Sequence, residues 1–465
     1  MKITFTDKLS KVMTKIELAE GDRVQFIEKK GKHYTLRIGI GKKKDITKRK
    51  FILLARKIIQ VSKQHKLKHI AIAFDNFDFP RLSRLDTAER ASLLTQNFEM
   101  ANFEFTSFRT KPKEGWPEVK EIVICGKVNA KVKEGFKKGQ IIGNSVNECR
   151  ELSNTPGGDM TPAILAKRAK NAARGTQIKV SILGEKELAK LKMGAILGVS
   201  KGSSEAPRLI VMEYWGARKS VSGKSQPIVL VGKGVTFDSG GINLKQGDSA
   251  LGMHLDMSGG AAVISALVLA AKPKIKKNII GIVPAVENMP GGSSYRPGDV
   301  LRSMSGKTIE IMNTDAEGRV ILADAITYAK KFKPRLVVDV ATLTGAAMVA
   351  LGQRASAIMT KDRKLESLFI KLAEESGDYM WSLPLWEEYE EEVKGSRGDV
   401  TNTHNKSGRY GGAINGGIFL HEFARGLPWV HIDIAPRMES IPSDNLAPGA
   451  AGEPVRFLLK LIESY

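Results

Sequence analysis

The last two thirds of the chain alternate short apolar runs with longer helix-like stretches. The apolar runs are rich in β-branched residues and predict strands buried on both faces: Ile228–Val231, Asn278–Val283, Leu336–Val340 and Trp429–Ile434. The longer stretches predict helices: Gly259–Ala271, Glu317–Lys331 and Ile414–Arg425. Strands alternating with helices indicate an α/β domain whose sheet is mixed, largely parallel and flanked by helices.

The first third predicts a second, smaller α/β domain. Strand-like runs lie at Tyr34–Ile40, Ile70–Phe74 and Glu121–Cys125, and a helical pattern covers Lys48–Gln64. A polar helical stretch from Val132 to about Leu152 then ends at the Pro and Gly residues of 154–158. We therefore predict a two-domain protein, with an N-terminal domain at 1–130, a connecting helix and linker at 131–157, and a catalytic domain at 158–465.

Composition narrows the class of protein. The chain has 465 residues, of which 42% are hydrophobic, so it can bury a large core without disulfides. Its two cysteines, Cys125 and Cys149, form no CxxC motif, which excludes a disulfide scaffold and a thiolate zinc ribbon. The longest apolar stretch, Met257–Ala271, is shorter than the ~18–20 residues that cross a bilayer. With no secretory signal at the N-terminus, we expect a cytoplasmic protein without a membrane span.

The formal net charge of +23 is unevenly distributed. Residues 1–150 hold 33 Lys and Arg against 17 Asp and Glu, so the N-terminal domain is strongly basic. Such a surface can bind nucleic acid through counterion release. An ordinary solvated surface explains the same charge, and both interpretations stay open here.

Four carboxylates follow the predicted strands of the large domain, at Asp238, Asp256, Asp315 and Glu317. Carboxylates grouped in a desolvated site repel one another unless cations neutralise them, and bound divalent metal ions are the usual solution. Simpler interpretations exist for single members. Asp315 could cap the following helix, and Lys233 could be a solvated surface charge. The glycine-rich stretch 232–241 lacks the spacing of known phosphate-binding loops.

The segment Asn313-Thr-Asp-Ala-Glu-Gly-Arg319 resembles the signature of the leucyl aminopeptidases, the M17 or cytosol aminopeptidase family of metallopeptidases. Further blocks similar to family motifs occur in family order, at 231–241, 256–262, 287–292, 295–299, 339–345 and 411–423. The resemblance covers roughly the last 300 residues, and we find no comparable match in the first third. After residue 435 the chain reads Pro436-Arg-Met, where many members have Gly and then Trp, which leaves the side-chain preference open.

The resemblance implies a role for each matching position. Asp238 and Glu317 would bridge two metal ions, Lys233 and Asp256 would complete the tighter site, and Asp315 would complete the weaker one. Lys245 would stabilise the gem-diolate formed on the scissile carbonyl, and Arg319 would hold a bicarbonate ion that acts as general base. The remaining implied substrate- or bicarbonate-binding residues are Met253, Asn313, Gly318, Thr342, Leu343 and Gly345.

The implied activity is release of N-terminal residues, with a leucine-like preference, by attack of a metal-bridging water. The free α-amine would bind one metal, so that only the first peptide bond reaches the nucleophile. The metals would be Mn²⁺ or Zn²⁺, with Co²⁺ or Mg²⁺ also compatible with the weaker site. The family further implies a homo-hexamer with an inner cavity that admits short peptides. A catalytically inactive structural homologue is the alternative, although every expected ligand type is present.

Overall fold

The computed structural model describes residues 1–6, 13–29, 33–126, 128–217, 226–404 and 410–465. The described chain divides into two compact units, one of Met1–Asn147 with Ser440–Gly449 and one of Glu148–Glu439 with Ala450–Tyr465. Both units combine parallel-rich sheets with helices. The expected α/β class with a mixed, largely parallel sheet in the large domain is therefore confirmed.

The first unit is built on a six-stranded sheet in the order β1-β6-β5-β2-β4-β3, in which only the β3–β4 pair is antiparallel. Its elements are β1 Lys2–Thr6, β2 Thr14–Ala19, β3 Val24–Lys29, β4 His33–Gly39, α1 Lys48–Gln64, β5 His69–Ala73, α2 Thr87–Asn102 and β6 Glu121–Cys125. The following helix, α3, covers Ala130–Asn154, from the first unit into the second. Helix α1 buries its apolar side, including Phe51 and Ile58, and its N-terminus is capped by Thr47.

The second unit contains a nine-stranded sheet in the order β16-β15-β18-β14-β9-β11-β8-β7, with β10 paired to β11. Its strands are β7 Lys179–Leu183, β8 Arg208–Trp215, β9 Ile228–Gly232, β10 Gly234–Asp238, β11 Asn278–Asn288, β14 Leu336–Ala341, β15 Ser356–Met359, β16 Met380–Ser382 and β18 Trp429–Asp433. A three-stranded sheet is formed by β12 Val300–Arg302, β13 Thr308–Glu310 and β17 Val400–Thr401. The central strands β9 and β14 are buried throughout, as continuous apolar runs predict.

Nine further helices belong to the second unit as the structure describes it. They are α4 Pro162–Ala172, α5 Glu185–Lys190, α6 Gly194–Ser200, α7 Ser258–Ala271, α8 Glu317–Ala329, α9 Gly345–Leu351, α10 Arg363–Ser376, α11 Gly412–Ala424 and α12 Val455–Ser464. Every residue of α7 is buried, because α7 packs on the central strands β9, β11 and β14. The helical stretch Gly247–Ala271 is apolar and long enough to cross a membrane, but 89% of its most apolar window is buried inside the protein, as in a core helix.

Candidate active site

The carboxyl ends of neighbouring parallel strands supply the first site residues. Strand β9 leads directly into Lys233, and β10 ends at Asp238. Strand β14 lies beside β9 and leads into Thr342. Ligands of α/β sheets bind at this edge, so the sheet alone gathers these three predicted residues.

Lys233 is the centre of one half of the site and is 3% exposed, so it is not the solvated surface charge of the simpler interpretation. Its Nζ lies 2.8 Å from Oδ2 of Asp256 and 2.7 Å from Oε1 of Glu317. It also donates a hydrogen bond to the carbonyl oxygen of Thr342 at 3.0 Å. Gly318 is required here, because a Cβ at that position would lie 2.6 Å from the lysine Nζ.

Lys245 is the centre of the other half. Its Nζ lies 2.8 Å from Oδ2 of Asp238 and 2.5 Å from Oδ1 of Asp315. The other Asp238 oxygen, Oδ1, accepts hydrogen bonds from the Gly240 amide at 2.9 Å and from Nδ2 of Asn288 at 2.8 Å. Gly240 has a φ of +89°, which favours glycine, and its turn brings the chain back toward Lys245.

Asp315 does not cap helix α8. The N-cap residue of that helix is Ala316, whose side chain makes no capping hydrogen bond. The Asp315 carboxylate pairs with Lys245 instead, and the Asp315 amide donates to Oδ1 of Asn313 at 2.8 Å. Asn313 therefore shapes the turn that carries Asp315 and Glu317 into the site.

The donor atoms of this cluster fit divalent cations. Asp238, Asp315 and Glu317 each offer a carboxylate oxygen, and these oxygens lie within 4.8 Å of one another. Three buried oxygens, Asp256 Oδ2, Asp315 Oδ1 and Glu317 Oε1, face a lysine ammonium without accepting a hydrogen bond of regular geometry. Oxygens held only by such ion pairs can exchange the ammonium for a bound metal cation.

The ionisation of the cluster reflects burial and crowding. Burial, followed by the neighbouring Asp238 charge, raises the pKa of Glu317 to about 8. Burial likewise raises the pKa of Asp256 to about 6. Burial alone would lower the pKa of Lys233, but the surrounding carboxylates, first that of Asp256, raise it above its usual value. Burial alone would also lower the pKa of Lys245, but its paired carboxylates, first that of Asp238, raise it above its usual value. Both lysines are therefore ammonium ions here, and Lys233 would have to lose a proton to bind a metal.

Arg319 lies on α8, two residues after Glu317, and is 7% exposed. Its Nη1 donates hydrogen bonds to the carbonyl oxygen of Asn402 and to Oδ1 of Asn415, both at 2.9 Å. Burial lowers the pKa of the guanidinium to about 10, so it is charged at neutral pH. Among the described residues no carboxylate lies within 4.0 Å of it.

The loop after β14 closes the site. The Thr342 hydroxyl donates to Asp256 Oδ1 at 2.6 Å. The Leu343 amide donates to Oδ1 of Asp433 at 3.0 Å, so this amide already has an acceptor. Of the other two predicted pocket residues, Met253 begins the 3₁₀ turn that carries Asp256, and Gly345 is exposed at the start of α9.

The sequence analysis did not single out four side chains that hold site residues in place: Asn288, Asn402, Asn415 and Asp433. Two of them lie inside motif blocks, at 287–292 and 411–423, which is the signal that could have drawn attention to them. Asn402 and Asp433 lie outside the blocks, and only the fold brings them to the site.

The sequence matches the profile described as "Cytosol aminopeptidase family, catalytic domain" over residues 147–459. The chain belongs to the cytosol aminopeptidase family. Its first third matches the N-terminal domain of the same family over residues 23–112, so the sequence-based impression that this region has no comparable match is wrong.

Similar proteins agree with this assignment. A probable cytosol aminopeptidase of Syntrophotalea carbinolica is 40% identical over 87% of this chain and 80% of its own length. One from Burkholderia mallei is 41% identical over 81% of this chain and 73% of its own. Among solved structures, the bottromycin maturation enzyme BotP is 29% identical, with a TM-score of 0.85 over 97% of this chain and 98% of its own. A second BotP structure, in complex with Mn, matches with the same TM-score. This cytosol aminopeptidase family member is therefore a peptidase-type hydrolase by descent.

Proposed function

We propose that this protein is a metal-dependent aminopeptidase that releases the N-terminal residue, with a leucine-like preference, from short peptides. The observation that carries the proposal is the cluster of four carboxylates and two lysines, drawn from segments far apart in sequence, at the carboxyl edge of the sheet. Four carboxylates share only two ammonium groups here, and so many acidic groups crowded into one partly buried cluster are typical of a functional site.

The metal ligands would be the residues of this cluster. Asp238 and Glu317 would bridge two ions, Lys233 and Asp256 would complete the tighter site, and Asp315 would complete the weaker one. When bound, the divalent ions act as Lewis acids and lower the pKa of water. Mn²⁺ or Zn²⁺ fits the oxygen-rich donor set, with Co²⁺ or Mg²⁺ also suited to the weaker site, and the Mn-containing structure of BotP supports manganese.

The protein's own cations would supply the remaining chemistry. The Lys245 ammonium points at the cluster and would donate to the oxyanion that develops on the scissile carbonyl. The buried Arg319 guanidinium would hold a bicarbonate ion as general base. The backbone at Gly318 and Leu343, with Asn313 nearby, would frame that anion. Met253, Thr342 and Gly345 would line the pocket for the N-terminal side chain.

A chelator experiment tests the proposal. Purified protein should hydrolyse leucine p-nitroanilide, lose that activity in EDTA and regain it with Mn²⁺ or Zn²⁺. N-acetyl-leucine p-nitroanilide should not be cleaved, because its blocked amine cannot bind a cation. Glu317→Gln should be inactive, whereas Glu185→Gln, an exposed carboxylate on α5, should match the wild type. Metal-loaded protein that hydrolyses no free-amine substrate contradicts the proposal.

The proposal extends to assembly and location. We expect a cytoplasmic homo-hexamer whose inner cavity admits short peptides, as the family resemblance implies. Light scattering should give six times the 50.8 kDa chain mass. A monomer with full peptidase activity would contradict this part while leaving the chemistry intact.

A further inference from the structure

The guanidinium of Arg319 is held only by neutral acceptors among the residues that the structure describes. One nitrogen, Nη1, donates to the side-chain oxygen of Asn415 and to the carbonyl oxygen of Asn402. No described carboxylate forms an ion pair with this arginine within 4.0 Å. A buried guanidinium is usually paired directly with a carboxylate, whereas the carboxylates of Glu317 and Asp433 act on Arg319 only from beyond ion-pair distance.

Asn415 occupies the first turn of α11 and is 1% exposed. A guanidinium can only donate hydrogen bonds, so the amide oxygen of Asn415 must face Arg319. The amide nitrogen then faces the opposite way, 3.2 Å from Nδ1 of His404. The side chain is thus oriented at both ends, and the position of its oxygen is well defined.

The second anchor links Arg319 to the turn that carries the carboxylates. Nδ2 of Asn402 donates to the carbonyl oxygen of Asn313 at 2.7 Å, and its Oδ1 accepts from the Met312 amide at 2.8 Å. These bonds fix the backbone of Asn402, whose carbonyl oxygen accepts from Arg319. Asn402 therefore fixes the position of Arg319 relative to the segment that leads to Asp315 and Glu317.

Space around the guanidinium is controlled by Gly416. A Cβ at this position would lie 2.9 Å from Cδ2 of Leu343 and 3.4 Å from Nη2 of Arg319. Helix α11 therefore approaches the loop after β14 closely. The start of this helix supplies Asn415 as hydrogen-bond acceptor and, at Gly416, the space that the Arg319 guanidinium occupies.

We propose that Asn415 is a positioning residue that fixes the Arg319 guanidinium through a neutral acceptor, so that no direct ion pair competes with an anion in the site. This inference rests on the proposed function, in which that anion is bicarbonate. An aspartate at 415 would keep the acceptor oxygen and the side-chain shape but would compensate the charge. A leucine would keep the approximate volume and remove the acceptor.

Isothermal titration of sodium bicarbonate into the Mn²⁺-loaded protein tests this assignment. Asn415→Asp and Asn415→Leu should each bind bicarbonate at least about tenfold more weakly than the wild type, while Mn²⁺ affinity stays unchanged. The matched control is Asn154→Asp. Asn154 is also a buried asparagine, but its oxygen accepts from the Ala450 amide instead of from a guanidinium.

Asn415→Asp separates positioning from a structural role, because an asparagine with a structural role alone would tolerate an isosteric acceptor. In leucine p-nitroanilide assays, this variant should need at least about tenfold more bicarbonate for half-maximal rate. Wild-type binding of bicarbonate by Asn415→Asp overturns the inference, as does absence of bicarbonate binding by the wild type or joint loss of Mn²⁺ and bicarbonate binding. An inactive wild type with the expected bicarbonate pattern overturns the proposed function only and supports the role of Asn415.

Discussion

Lys233 and Lys245 have the same residue type but different surroundings. Lys233 is 3% exposed and contacts Asp256 and Glu317, whereas Lys245 contacts Asp238 and Asp315 and is less buried. The less buried ammonium can reach a substrate without leaving its carboxylates. This difference agrees with the separate roles that we propose for the two lysines, one as a metal ligand and one as a donor to the oxyanion.

Replacing Lys245 by methionine should lower kcat for leucine p-nitroanilide by at least about 100-fold, because it removes a donor to the oxyanion in a buried site. The affinity for Mn²⁺ should be retained or increased, since the ammonium no longer competes for the oxygens of Asp238 and Asp315. Steady-state kinetics and metal titration check the two parts. A variant with wild-type kcat would exclude Lys245 from the chemistry.

Among single residues, the sequence predicted the charged groups and the neutral Asn313 and Thr342, but not the two asparagines that hold Arg319. The carboxylates and lysines follow strands in recognisable blocks, so their residue type and position indicate their chemistry. Asn402 and Asn415 reach Arg319 across 83 and 96 residues of sequence. A hydrogen bond between residues so far apart in sequence depends on tertiary packing, and no local sequence pattern predicts it.

The strands and helices that carry the site were predictable, while several peripheral elements were not. Helix α1 and strand β6 have the predicted bounds. Strand β11 continues past the expected end at Val283, because its residues from Ala285 onward pair with β10. Pro284, which cannot donate to the ladder, lies between this part and the part that pairs with β9. Helix α2 was missed although Asp86 and Glu89 form a capping box, because its hydrophobic periodicity is weak.

Helix α6 depends on one buried carboxylate from a distant helix. Oδ2 of Asp324 accepts from the amides of Ala195 and Ile196 at 3.0 Å, and Oδ1 accepts from the Met304 amide at 2.6 Å. Asp324→Ala should lower the free energy of unfolding by about 3 kcal/mol, because it leaves three amide donors without this acceptor. Urea denaturation measures the loss.

Asp324→Asn is the control for this prediction. It keeps one acceptor oxygen, so it should be less destabilising than the alanine variant. Equal losses would show that the hydrogen bonds to α6 contribute little and that packing dominates.

His421 on α11 makes stability depend on pH. Burial, with the nearby charges of Lys361 and Arg425, lowers the pKa of this histidine to about 4. The unfolded chain binds this proton near pH 6.5, so the contribution of His421 to stability is fully present above that value and is lost as the pH drops toward 4. Thermal unfolding should show a smaller decrease between pH 6.5 and 4.5 for His421→Gln than for the wild type. Identical slopes would contradict the assignment.

The chain combines a basic N-terminal part with a nearly neutral remainder. The sequence alone predicts this distribution of charge. The first 150 residues hold 33 Lys and Arg against 17 Asp and Glu. The sequence could not predict that Ser440–Gly449, late in the chain, belongs to the first unit, because this depends on tertiary packing.

Binding of nucleic acid by the basic unit stays a prediction. Gel shifts of the full chain with a random DNA duplex should show binding at 50 mM salt that weakens steeply by 200 mM, because counterion release drives phosphate contacts. A chain that shifts no DNA at 50 mM salt has an ordinary solvated surface. Peptidase activity should be the same under either outcome.

The paired lysines also affect how the protein matures. Under the proposed function, their ammonium groups would offset part of the buried acidic charge before metal ions bind, so folding would not have to wait for the metal. Under the same proposal, metal binding by Lys233 would then release its proton into the surrounding buffer. Synthesis and activation would then be separate steps, and the supply of metal would set how much of the enzyme pool is active.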